Sequence, residues 1–142
     1  MSPTAQDQGR PEIRKGLNGV VADVSAISKV NPETNSLLYR GYPVPQLAAT
    51  QPFESVAHLL WTGELPDEQE LAALQDRFRA HRALDPTVKA ALDRLPTTCH
   101  PMDSVRTAIS TLGALDPDAE DSSPVTELAK AERLTAQLPA VI

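Results

Sequence analysis

The apolar positions change their period once along the chain. Up to Tyr42 they hold no helical spacing: Val24, Ile27 and Val30 come close, but Pro32 ends the run. The stretch Asn31-Pro32-Glu33-Thr34-Asn35 is a turn signal, because proline and two asparagines favour the turn conformations a regular strand cannot hold. Two short strands, over 20–27 and 36–39, joined through that turn are therefore expected. Residues 1–15 are polar, contain two prolines and show no periodicity, so they read as a disordered tail.

Beyond Tyr42 the pattern becomes helical and prolines divide it. After Pro52, Phe53, Val56, Ala57, Leu60 and Trp61 recur at the spacing of one helix face, and Gly63 and Pro66 stop the run. Asp67 has an N-cap side chain with Glu70 three residues on, a capping box in which Asp replaces Ser or Thr. That helix carries Leu71, Leu74 and Phe78 and is expected to reach Ala83. Asp85 caps the next, with Pro86 at its first position and Val88, Ala91, Leu92 and Leu95 in register. Another opens at Pro101 with Met102, Val105, Ile109 and Leu112 before Gly113. A polar loop over 116–123 precedes a last helix from Pro124, with Leu128, Ala131 and Leu138.

Aromatic residues are only 4% of the 142, so the core must be built mainly from Leu, Ala, Val and Ile, which suits packed helices. The formal charge of −6 repels phosphate backbones and gives nucleic-acid binding no support. The single cysteine, Cys99, rules out an intrachain disulfide and a metal site built from thiolates alone. No apolar run approaches the roughly 18 residues of a membrane span, and the polar amino terminus lacks the apolar region of a secretory signal. A cytoplasmic location is expected.

The chain offers few groups for chemistry. His58 lies mid-helix beside Leu59 and Leu60 and reads as a core-flanking residue. His81 falls near a helix end, where positive charge suits the dipole. His100 opens a helix, but with no His-x-x-x-His spacing and no nearby third ligand a metal site is not expected. Cys99 beside His100 is a poor catalytic pair, since such partners normally come from different parts of a fold. Arg77, Arg79 and Arg82 sit away from the Leu71/Leu74/Phe78 face. They read either as a solvated face at a helix end or as an anion site, where guanidinium forks match carboxylates and phosphates. Arg106 invites the same two readings. The last residues, Leu138-Pro139-Ala140-Val141-Ile142, are apolar and end without a cap or polar tail, which reads either as a short hydrophobic tail packed on its own domain or as a chain expected to continue into more protein.

The run Leu38-Tyr39-Arg40-Gly41-Tyr42, then Leu47-Ala48, then Phe53-Glu54-Ser55-Val56-Ala57-His58-Leu59-Leu60 resembles the citrate synthase family. So do Gly63-Glu64-Leu65-Pro66 with Glu70-Leu71, and His100-Pro101-Met102-Asp103 leading to Arg106-Thr107-Ala108. Their order and spacing are similar to the amino-terminal third of that family, over residues 16–142, nearest its actinobacterial citrate and 2-methylcitrate synthases. The resemblance implies a mainly α chain: the start of the large domain, with a short β-hairpin followed by about five helices, and the small domain and catalytic region absent.

The family forms homodimers that condense oxaloacetate with acetyl-CoA or propionyl-CoA and release CoA. It uses no cofactor, the acyl-CoA being a substrate. Its two histidines and aspartate come from the later two-thirds, and none of their motifs occurs here, so no catalytic residue is assigned. Arg79 aligns with a substrate-binding arginine, while the segment holding His100, Met102 and Arg106 is assigned to packing around the large-domain core. The stretch alone is expected to be inactive, and aggregation-prone where helices lack their usual partners. The competing expectation is a free-standing helical protein-binding module.

Overall fold

The computed structural model describes residues 16, 19–21 and 23–142, so the tail expected over 1–15 lies outside the described residues. Among the described residues three short strands are followed by six helices. Strands β1 (Ser28–Asn31), β2 (Ser36–Tyr39) and β3 (Tyr42–Pro43) form one antiparallel sheet in that order. β2 falls where the pattern puts it, but the first strand does not. Asn31 pairs with Ser36 and Ser28 with Tyr39, so the ladder grows outward from the turn and β2 is matched by the four residues just before it. Among the described residues, Val20, Val21, Val24 and Ile27 lie outside the strands, and all four are exposed.

β2 and β3 are joined by Arg40-Gly41, with Tyr39 directly opposite Tyr42. Both turn residues have positive φ, 47° and 91°, as in a two-residue type I′ hairpin whose twist matches the strands. Arginine is an unusual first residue there. It is held at both ends: its N–H donates to the Ile27 carbonyl at 2.9 Å, and its Nη2 donates to the Leu60 carbonyl at 2.8 Å. The second bond ties the hairpin to helix α2.

Helix α1 (Val44–Thr50) brings the number of helices to six. At two turns with one buried residue, Leu47, it shows no period in the sequence, and it is supported by packing on β2 and β3. In α2 (Phe53–Thr62) the buried residues are Ser55, Ala57 and Leu59, whereas Phe53 is exposed. Gly63 ends it in the left-handed region at φ 99°, donating to the Leu59 carbonyl.

The capping box forms on α3 (Glu68–His81): Glu70 N–H donates to Asp67 Oδ1 at 2.8 Å, and Asp67 N–H to Glu70 Oε2 at 2.9 Å. Asp85 caps α4 (Pro86–Leu92) by accepting from Thr87 N–H at 2.7 Å, and Leu95 lies beyond the helix in a following turn. Helix α5 (Pro101–Leu115) passes through Gly113, whose backbone stays helical. Its fully buried residue is Ala108, while Met102 is 59% and Ile109 38% exposed and Val105 and Leu112 are half-buried, so the predicted stripe is only partly covered. His100, Met102 and Arg106, assigned to packing around the large-domain core, are all exposed within this chain. Helix α6 (Pro124–Val141) continues through Pro139, which has no N–H for the Thr135 carbonyl.

The core is small. Leu74 and Phe78 of α3 and Ala136 of α6 are buried together, with Trp61 of α2 packed on them. The Trp61 and Phe78 rings meet edge to face, centroids 6.3 Å apart and planes at 63°. Helix α5 packs against both α6 and α4.

Candidate functional site

The arginines of α3 do not form a cluster. Arg77 grips Glu132 of α6 with two parallel bonds, Nε to Oε2 at 2.7 Å and Nη2 to Oε1 at 2.9 Å. The side-chain hydrogen bond to Glu132 raises the Arg77 pKa above its ordinary value. Arg79 instead pairs with Asp76 one turn back, at 2.5 Å, and both side chains are mostly in solvent. Arg82 is the C-cap residue, bonded there through its backbone to the Arg79 carbonyl. Arg106 is paired with Asp103 on its own helix. Of these four arginines Arg77 is the one that joins two helices, while Arg79 keeps an exposed guanidinium held by a neighbour that a bound anion could displace.

The histidines have local roles. His58 is half-buried, with Nδ1 3.1 Å from the Glu64 carbonyl and 3.2 Å from Thr62 Oγ1, so it secures the turn that ends α2. His81 is the last residue of α3, where its charge would suit the carbonyl end of the dipole. His100 is the N-cap of α5: its Nδ1 accepts from Met102 N–H at 3.2 Å. Cys99 lies 3.4 Å from Ser104 Oγ rather than against a histidine ring. Among the described residues no three His, Cys, Asp or Glu side chains gather as a metal site.

A cleft of about 440 Å³ opens between the end of α5, the loop 116–123 and α6. Ile109, Leu112, Leu115 and Leu134 give it apolar walls, with Lys130 and Arg133 also lining it. Both cations are engaged. Arg133 pairs with Asp116 at 2.5 Å, and Lys130 donates to the Asp121 carbonyl at 2.9 Å and to Glu127 Oε1 at 2.7 Å. Hydrogen bonds hold three carboxylates below their ordinary pKa: Asp116 from the Asp118 N–H, Asp121 from the Ser123 N–H and Asp85 from the Thr87 N–H. These groups order a loop and cap helices. Sequence reasoning missed Glu132 and the Asp116–Arg133 pair because partners 55 and 17 residues apart leave no local signal.

Residues 16–142 match the family described as citrate synthase, C-terminal domain. The chain belongs to the citrate synthase family. It is 55% identical over 141 residues to 2-methylcitrate synthase of Mycobacterium tuberculosis, covering 99% of this chain and 35% of that protein. It is 54% identical over 139 residues to citrate synthase of Mycolicibacterium smegmatis, covering 98% and 37%. The crystal structure of citrate synthase from Pyrobaculum aerophilum matches with a TM-score of 0.80 at 28% identity, over 99% of this chain and 39% of that one. The fold also matches citrate synthase from Thermoplasma acidophilum, with a TM-score of 0.81 at 20% identity over 87% of this chain and 32% of that one. The chain thus spans little more than a third of the length of the curated relatives named here. Among the described residues no helix is long and apolar enough to cross a membrane.

Proposed function

We propose that this chain is the amino-terminal part of the large domain of a citrate or 2-methylcitrate synthase. That enzyme condenses oxaloacetate with acetyl-CoA or propionyl-CoA and releases CoA. The observation that carries this reading is the 55% identity to a mycobacterial 2-methylcitrate synthase along 99% of the chain. The reaction needs a carboxylate to take the weakly acidic proton beside the thioester carbonyl and a histidine to stabilise the enol. A second histidine polarises the ketone, arginines hold the dicarboxylate, and water then cleaves the thioester to free the thiol. The 142 residues supply no such set and are inactive by themselves. No cofactor takes part, the acyl-CoA being consumed as substrate. The enzyme works in the cytoplasm, in the tricarboxylic acid or the methylcitrate cycle.

Arg79 contributes to substrate binding, through the exposed guanidinium described above, once the rest of the enzyme supplies its other partners. A second subunit covers the outward apolar face of α5, where Met102 and Ile109 are exposed. The test is release of free thiol from acetyl-CoA and propionyl-CoA with oxaloacetate. It compares the chain alone with the chain extended by the remaining family length. The extended protein should turn over and the short one should not. Arg79→Ala in the extended protein should raise KM for one substrate and leave thermal unfolding unchanged. An extended protein that folds but releases no thiol rejects the reading. It would favour a helical protein-binding module that uses the same α5 face.

A further inference from the structure

We propose that His100 is a pH-dependent cap: its neutral ring orders the first turn of α5, and protonation releases that turn. Pro101, at the first helical position, has no N–H to satisfy. The next two amides both go to His100, Met102 N–H to its Nδ1 at 3.2 Å and Asp103 N–H to its carbonyl at 2.8 Å. A ring nitrogen accepts a hydrogen bond only while it carries no proton. Protonated, Nδ1 presents a donor to the Met102 donor and sets positive charge at the positive end of the helix dipole. His100 is exposed, so solvent protons reach it freely.

Among the described residues, the acidic side chains on α5 and on the elements packed against it pair with cations other than His100. Asp103, on the same turn, is paired with Arg106, which adds positive charge. On α4, packed against α5, Lys89 pairs with Asp93, and Arg94 follows the helix. On α6, also packed against α5, the charged groups pair elsewhere: Lys130 with Glu127, Arg133 with Asp116, and Glu132 with Arg77. Among the described residues no ion pair includes His100. Helices α3 and α4 are capped by the carboxylates of Asp67 and Asp85, and the Thr87 N–H holds the Asp85 carboxyl below its ordinary pKa. Of these three caps, that of α5 alone rests on a ring nitrogen rather than a carboxylate.

Amide hydrogen exchange by NMR on the 142-residue chain tests this, with protection corrected for the intrinsic rate at each pH. Protection of the Met102 and Asp103 amides should fall roughly fivefold from pH 7.5 to 5.5, the scale of losing an N-cap, while the Glu70 amide of α3 keeps its protection. His100→Asn supplies a cap that does not titrate and should flatten the profile. Equal protection at both pH values, an equal loss in His100→Asn, or no protection of these amides at pH 7.5 would each overturn the proposal. The readout needs no enzyme activity, so it stands or falls apart from the proposed function.

Discussion

Arg77 and Glu132 meet across 55 residues of chain in a two-pronged ion pair that fastens α3 to α6. Arg77 is 47% exposed and Glu132 only 13%, so the pair is half shielded from water. Water still screens the arginine, and the coupling energy from a double-mutant cycle of Arg77→Ala and Glu132→Ala should be about 0.5–1 kcal/mol. Arg77→Ala alone should cost more than Glu132→Ala alone, because it strands a shielded carboxylate. Urea unfolding of the four proteins measures both; a coupling near zero would mean the fork contributes no net stability.

Phe78 is 4% exposed and stands at the centre of the small core with Leu74 and Ala136. Phe78→Ala should remove about 3–5 kcal/mol, much of what a domain of this size possesses. The expected result is loss of a cooperative thermal transition, with Phe78→Leu keeping one at lower temperature. A sharp transition in the alanine variant would show that this cluster is not what holds the helices together.

Two glycines with equally open surroundings should respond in opposite directions. Neither Gly63 nor Gly113 has an atom within 4 Å of the position a Cβ would take. Gly63 has φ 99°, so Gly63→Ala strains the backbone and should destabilise by about 1 kcal/mol. Gly113 is helical, and Gly113→Ala should stabilise by roughly 0.5–1 kcal/mol. Chemical denaturation of both variants checks the contrast. A destabilised Gly113→Ala would place the end of α5 before Gly113, as the sequence pattern suggested.

Asp85, Asp116 and Asp121 all have lowered pKa values, each chiefly through a backbone N–H. A carboxyl whose folded pKa is depressed adds stability above its unfolded value, near 3.9 for Asp, and loses it as pH falls through the folded value. The thermal midpoint should therefore stay level with respect to these groups down to about pH 4 and drop below it. Asp85→Ser keeps a cap without a titrating group, so its midpoint should fall less steeply in acid. Parallel curves for the variant and the parent would remove Asp85 from the explanation.

What the sequence made legible was local. Asp67 with Glu70, Asp85 with Pro86, and Gly63 after Thr62 mark helix ends through bonds spanning a few residues, and each end formed as its side chains dictate. The pairing of β1 was not legible, because strand-like valines over 20–30 do not say which of them will face Ser36–Tyr39. Nor was the partial cover of α5, since Met102 and Ile109 carry the same spacing whether their cover is this chain or something else. The resemblance quoted from Leu38 to Ala108 led to the family, but at Arg79 it could name only a role. The geometry adds an exposed guanidinium and a weak partner, Asp76.

The edge-to-face pair in the core and the paired strand residues of the hairpin also divide the molecule optically. The chain has one tryptophan, Trp61, and two tyrosines, Tyr39 and Tyr42. Trp61 lies against Phe78 in the helical core, whereas the tyrosines face one another across β2 and β3. Tryptophan emission therefore follows the seating of α2 on α3 and α6, and tyrosine absorption follows the sheet. Recorded in one melting experiment, they reveal whether the Arg40 tether to the Leu60 carbonyl makes the two regions come apart together or leaves one standing after the other has gone.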